Sequence, residues 1–289
     1  MNENMRNEET MMKLIFSTAE NDDRIRAVVM NGSRASSNTS KDMFQDYDIV
    51  YVVTDVVPFV NNKQWHNKFG DILISQTPDE MTGDWFKDKG KFTFLMLFED
   101  ENRIDLSLIQ TSRFLTMQQD SQSVVLLDKD HMLNDMPPSS DKDYLPKPPT
   151  EKAFLDCCNE FLWVSTYVAK GLYRQQLTYA KFMSEHIVKQ ELIKLLTWYA
   201  GLRTNFAVSL GQCGKNLAEH VDAQIWDKFS ATYVGAQTER MWDALFTMCE
   251  LFNTLAKHIS QHYQFSYDSS EYARVVSYLK SVRVLIKIT

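Results

Sequence analysis

Apolar and polar residues follow two different periods along the chain, and the change from one to the other comes near its middle. Residues 25–30 form an almost continuous apolar run and residues 47–53 a β-branched and aromatic one, so both read as buried strands. Strict alternation follows over 103–110, where Ile104, Leu106 and Leu108 fall on one face and Asp105 and Ser107 on the other. Residues 71–76, 92–98 and 124–127 read as further strands, with the polar stretch 99–102 turning one hairpin and its acidic residues solvated. Met11, Met12, Ile15, Phe16 and Ala19 recur at helical spacing within 8–21. Residues 58–69, around Trp65 and Phe69, and 112–119 are expected to be helical as well.

Five prolines, Pro137, Pro138, Pro146, Pro148 and Pro149, then interrupt any regular element. Thr150 offers a helix N-cap and Glu151 a favourable charge in the first turn. Beyond it the period is helical throughout. Phe154, Leu155, Cys158, Phe161, Leu162 and Val168 share one broad apolar face, and 177–201, a short helix capped by Asp222, a long one after Thr238, and 272–286 follow. The expected organisation is a first domain over 1–136, a proline-rich linker over 137–149 and a helical bundle over 150–289.

Composition narrows the class. A chain of 289 residues, 44% hydrophobic and 24% charged, suits a soluble protein of two modest domains. No apolar run approaches the length of a membrane span, and Met1-Asn2-Glu3-Asn4 lacks the features of a signal peptide, so the cytoplasm is expected. Cys157, Cys158, Cys213 and Cys249 form no spaced ligand pair and read as buried free thiols. His186, beside Glu185 on an expected helix, has no second histidine or cysteine at ligand spacing, and surface or packing roles are expected for all six histidines. A net charge of −7 argues against a nucleic-acid partner and suits a small cationic one, although mild acidity also serves solubility alone.

The candidate chemistry lies at two strand ends. Asn31-Gly32-Ser33-Arg34 closes the first strand, and Asp46 and Asp48 open the second. Alternate strand residues share a face, so the two carboxylates project together roughly 7 Å apart. They repel each other unless a cation lies between them, and hard oxygen donors of this kind suit Mg²⁺. Gly32 lets backbone approach a phosphate closely, while Ser33 and nearby N–H groups can donate to it. Arg34 reads as a phosphate or base contact, or else as a solvated arginine. The polar loop 35–41 reads as mobile, and a phosphate ligand could order it. Asp105 joins the pair if its strand lies beside theirs.

These stretches, with Phe44-Gln45-Asp46-Tyr47-Asp48, Leu97-Phe98-Glu99-Asp100, Ile104-Asp105-Leu106 and Leu127-Asp128-Lys129-Asp130, resemble the nucleotidyltransferase superfamily related to DNA polymerase β. Within it the chain resembles the aminoglycoside 6-adenylyltransferases, and the likeness continues through Cys157-Cys158-Asn159-Glu160-Phe161, Ser165-Thr166-Tyr167-Val168, Lys170-Gly171-Leu172 and Gly214-Lys215. The resemblance implies an α+β fold in which an N-terminal nucleotidyltransferase domain, a mixed β-sheet flanked by helices, precedes a C-terminal helical bundle. It implies transfer of AMP from ATP to the 6-hydroxyl of streptomycin, conferring resistance to the antibiotic, with Mg²⁺ on Asp46 and Asp48 and the β- and γ-phosphates on Gly32 and Ser33 with help from Arg34. Two duties stay open for Asp105: a further metal ligand, or the general base, which is favoured because no histidine has a claim.

Lys215 matches the family's Gly-Lys, where the lysine reaches the triphosphate; three positions on, where the family carries a second lysine, this chain has Ala218. Glu160, Trp163 and Tyr167 fall on about one helix face and would suit a guanidinium-bearing substrate; alternatively the aromatic rings belong to the core and Glu160 pairs with a nearby Lys or Arg. Two other readings stand beside this one. One is a nucleotidyltransferase acting on a protein side chain, a transfer RNA end or another small alcohol. The other is a silent nucleotide-binding module, against which the intact acidic trio argues.

Overall fold

The computed structural model describes residues 5–36 and 42–286, so most of the expected 35–41 loop lies outside the described residues. The fold is α+β, and the chain divides into two compact units, Met1–Asp143 and Tyr144–Thr289. Among the described residues no helix is long and apolar enough to cross a membrane.

The first unit is built on a six-stranded mixed sheet. Helix α1 (Glu8–Glu20) starts where the Asn7 side chain accepts from Thr10 N–H at 2.9 Å, and it buries Met11, Ile15 and Ala19 at four-residue intervals. The strands are β1 (Ile25–Asn31), β2 (Tyr47–Val53), β3 (Ile72–Gln76), β4 (Lys91–Phe98), β5 (Arg103–Gln110) and β6 (Ser123–Asp128). They lie in the order β3-β4-β5-β2-β1-β6. Only β2 and β5 run parallel; the other neighbours are antiparallel.

Alternation divides each strand between two faces. Tyr47, Ile49, Tyr51, Ile104, Leu106 and Leu108 pack with α1 in the larger core, and burying each such side chain contributes roughly 1.5–3 kcal/mol. Ala27, Val29, Val50, Val52 and Ile109 form a smaller core on the other face with Phe114 and Leu133. That second face is apolar only toward the C-terminal ends of β2 and β5. Toward their N-terminal ends it carries the acids.

The 58–69 stretch is helical as expected, in two short pieces, an α-helix over Val57–Asn61 and a 3-10 helix over Trp65–Phe69, and the short helix expected in 112–119 spans Thr111–Phe114. One local expectation in this unit needs correction. The 99–102 hairpin is not a purely solvated turn. Arg6 grips Asp100 through Nε at 2.6 Å and a second guanidinium nitrogen at 3.1 Å, donates to the Phe69 carbonyl at 2.6 Å, and lies over the Phe98 ring. Asn102, which is buried, donates to both Asp100 and the Arg6 carbonyl. The long-range partner, Arg6, could not be read from the local polarity of the turn.

The second unit is helical: α2 (Glu151–Tyr173), α3 (Leu177–Phe182), α4 (Lys189–Thr204), α5 (Ala223–Ser230), α6 (Thr238–Tyr263) and α7 (Ser269–Ile286). Thr150 caps α2 as expected, its side chain accepting from Ala153 N–H at 3.1 Å. Phe161 of α2 stacks on Phe252 of α6 with ring centres 3.8 Å apart. A π-helical turn, Met183–Val188, joins α3 to α4, and the buried Lys189 donates to Glu185 at 2.5 Å and to the Thr232 carbonyl at 3.2 Å. Leu155 points outward rather than into the core. Asp222 precedes α5, but its carboxylate accepts from Tyr199 and Arg203 instead of capping the helix. Three of the thiols are buried as expected, whereas Cys213 is exposed.

Candidate active site

Strand register assembles the site. Across the sheet Ser123 is paired with Asn31, Asn31 with Asp48, and Asp48 with Asp105, so four polar residues form one row over β6, β1, β2 and β5. The Ser123 hydroxyl donates to the Asn31 side chain at 2.8 Å and ties one end of the row. Asp46 stands one alternation earlier, on the same side as Asp48. The parallel pairing of β2 with β5 thus brings together three carboxylates that are 57 or more positions apart in the chain or share one strand end.

Gly32 has a structural duty beyond the one its sequence suggests. Its φ is +70°, and a Cβ added there would collide with the Asp48 carboxylate. The space that a side chain would fill is taken by the acid itself. Gly32 N–H donates to the Gln122 carbonyl at 3.0 Å, and Gln45 reaches the Ser33 hydroxyl at 3.4 Å. The turn is therefore fastened to the strands on both sides.

Arg34 is turned toward the protein. Its guanidinium donates to the carbonyls of Gln45 and Asp46 at 3.0 and 3.1 Å, lies 3.8 Å over the Tyr47 ring, and meets Glu8 at 3.5 Å. Only a tenth of its side chain is exposed, so as placed here it anchors the backbone carrying Asp46 instead of reaching outward to a phosphate. The solvated reading does not describe it either.

Arg103 is the residue that pattern reading missed. Its Nε and one terminal nitrogen each donate to a different oxygen of Asp105 at 2.8 Å, and its other terminal nitrogen stands 3.4 Å from Asp46. Its place at i−2 from Asp105, on the same strand face, was the available signal. Asp120, whose charge acts on Asp48, was likewise not singled out.

The acids outnumber their cation. Burial first, then the charges of Asp105 and Asp46, push the Asp48 carboxyl up to about 6. Burial raises Asp46 as well, opposed mainly by Arg103. The carboxylates outnumber the guanidinium that bridges them, with Arg34 acting on Asp46 and Asp120 on Asp48 from further out, and a hard divalent cation would answer that excess of negative charge chemically. The strands converge as expected, but the oxygens do not: among the described residues no three His, Cys, Asp or Glu side chains are grouped so that they could hold a metal ion. The Arg103 fork bridges Asp105 and Asp46 instead.

The remaining sequence candidates lie in the second unit. Lys215 is exposed just after the single turn Gln212–Gly214. Glu160 is exposed on α2, and Trp163 is 59% exposed, so the core reading fails for Trp163, whereas Tyr167 is partly buried and packs against the core of the second unit. The Trp163 Nε1–H donates to the half-buried Tyr167 hydroxyl at 2.6 Å, and Lys170 stands over the Tyr167 ring. Trp163 also lines a cavity of about 440 Å³ between α2 and α7, with Leu162, Lys170, Arg274 and Tyr278 among its walls.

Comparison with known proteins finds relatives over nearly the whole chain. The streptomycin adenylyltransferase family profile matches residues 5–282. The chain is similar to the aminoglycoside 6-adenylyltransferase of Bacillus subtilis (strain 168), 36% identical over 91% of this chain and 93% of that protein. The protein of the same description from Campylobacter jejuni is 34% identical over 91% of both chains. That from Staphylococcus aureus is 31% identical over 92% of this chain and 95% of its own.

Proposed function

The chain belongs to the streptomycin adenylyltransferase family, whose members are aminoglycoside 6-adenylyltransferases, and from that premise we propose that it transfers AMP from ATP to the 6-hydroxyl of streptomycin. The observation that carries the reading is the Asp48–Asp105 register, with Asp46 on the same face and Gly32 cleared for the Asp48 carboxylate.

Asp46 and Asp48 would hold Mg²⁺, with Asp105 at hand as a third oxygen donor. When bound, the ion neutralises phosphate charge and orients the triphosphate. Gly32 and Ser33 stand at the turn beside Asp48, where backbone N–H groups and the hydroxyl suit phosphate oxygens. Arg34 holds the Asp46 backbone in place from behind, and Lys215 is the second unit's candidate for the triphosphate.

The substrate hydroxyl oxygen forms a bond to the α-phosphorus, the bond from that phosphorus to the bridging oxygen breaks, and pyrophosphate leaves. Asp105 takes the hydroxyl proton, which requires that one of its oxygens be released by Arg103. Exposed Glu160 and Trp163, with Tyr167 beside them, offer a carboxylate and ring faces to the cationic antibiotic.

Pyrophosphate release with ATP and Mg²⁺ should be stimulated by streptomycin and not by kanamycin or spectinomycin. Stimulation by another aminoglycoside alone would move the acceptor, and none by any of the three would reject the reading in favour of a different alcohol.

A further inference from the structure

The bridge made by Arg103 asks for an explanation of its own. Arg103 and Asp105 project from the same face of β5, and the guanidinium saturates both Asp105 oxygens while also approaching Asp46. Neither a divalent cation nor a substrate proton can use the face of Asp105 that Arg103 covers until the fork withdraws. Withdrawal is open to it: 41% of the Arg103 side chain is exposed, against 24% for Arg6 and 10% for Arg34. Those two are also held by backbone carbonyls, whereas the contacts recorded for Arg103 are to the carboxylates themselves.

We propose that Arg103 is a displaceable counter-ion: in the free protein it holds the acidic edge together in competition with the divalent cation, and once displaced it turns its fork to the incoming triphosphate. The first half follows from charge, because removing a guanidinium from beside Asp105 and Asp46 leaves three mutually repelling carboxylates that attract a small cation more strongly. The second half follows from reach. A displaced side chain stays tethered two residues from Asp105, and a guanidinium matches phosphate oxygens as well as it matches a carboxylate. Arg103 is then a positioning residue that trades one anion for another as the site fills. The inference rests on the metal reading of Asp46, Asp48 and Asp105 given above.

The test is a pair of titrations on the full chain, one with Mn²⁺ alone and one with α,β-methylene-ATP in saturating Mn²⁺, followed by calorimetry or by the electron paramagnetic resonance of free Mn²⁺. Arg103→Met should bind Mn²⁺ about tenfold more tightly than wild type and the nucleotide about tenfold more weakly, each the effect of one lost charge interaction. Arg103→Lys, which keeps the charge and loses the fork, should move both affinities in the same directions by about threefold and serves if the methionine variant does not fold. A merely structural arginine would weaken both. Any pairing other than opposite signs overturns the inference while the metal reading stands, whereas failure of wild type to bind Mn²⁺ overturns both.

Discussion

Two arginine–aspartate clasps in the first unit use the same fork and do opposite things. At the 99–102 turn one guanidinium meets one carboxylate, and Asn102 and backbone N–H groups complete the set. Burial raises the Asp100 carboxyl, but the Arg6 and Asn102 hydrogen bonds outweigh it and hold the group well below the usual carboxylate range. At the acidic edge one guanidinium serves Asp105 and Asp46 while Asp48 is pushed up to about 6. The first clasp is charge-balanced and stabilises. The second leaves repulsion unrelieved, which the proposed cation would relieve. Charge count around the fork, rather than the fork itself, separates a fastening from a binding site.

The contrast is sharpest at Asp48. Asp48→Asn should lower turnover by at least about 10³-fold, because an oxygen ligand and a charge are lost from the reacting centre. In EDTA at pH 7 the same variant should be more stable than wild type by on the order of 2 kcal/mol, since the buried, repelled charge is gone. Activity assays and thermal melts of one preparation read both effects. An unstable Asp48→Asn protein would erase the distinction between the clasps.

Gly32→Ala comes next. The new methyl group must displace the Asp48 carboxylate in a left-handed backbone conformation, so turnover should fall about 10²-fold with about 1–3 kcal/mol of lost stability. Arg6→Met is the converse case: about 2 kcal/mol of stability should go, measured by denaturant unfolding, with kcat unchanged below the melting transition.

The pH dependence of metal-free stability separates the clasps by sign. Asp100, with a depressed carboxyl, contributes stability above its unfolded value near 4 that is lost as pH falls below it. Asp48, with a raised one, contributes below about 4 and loses that contribution as pH rises through about 6. Melts in EDTA from pH 4 to 7 should therefore fall more in wild type than in Asp48→Asn. The smallest expected effect lies in the second unit. Trp163→Ala should raise the KM for streptomycin roughly fivefold and leave kcat within about twofold, as loss of an exposed ring contact would.

Sequence periodicity made the strands legible because both faces of the sheet are sorted by alternation: Tyr47 to Val53 and Arg103 to Gln110 fall where the pattern places them. The acids were legible for the same reason, since Asp48 interrupts an otherwise apolar β2, Asp46 shares its alternation just before the strand, and Asp105 falls on the polar face of β5. What pattern could not supply was pairing across distance. The parallel register that sets Asp48 beside Asp105 is a property of the sheet, and so is the reach of Arg6 to Asp100 across 94 positions. Arg34 shows another partner set that local sequence does not give. A guanidinium next to a Gly-Ser turn has the chemistry for phosphate, and here it is held by the carbonyls that lead into the neighbouring strand and by the Tyr47 ring. For Trp163 helical spacing left core and surface both open, and only the packing shows that this ring lies outside.

The central claim is that the acidic edge of the first unit takes ATP through a divalent cation. Calorimetric titration of α,β-methylene-ATP with and without Mg²⁺, on wild type and on Asp46→Asn, addresses it directly. Binding should require Mg²⁺ in wild type and be lost in the variant; equal binding without the ion, or by Asp46→Asn, would contradict it.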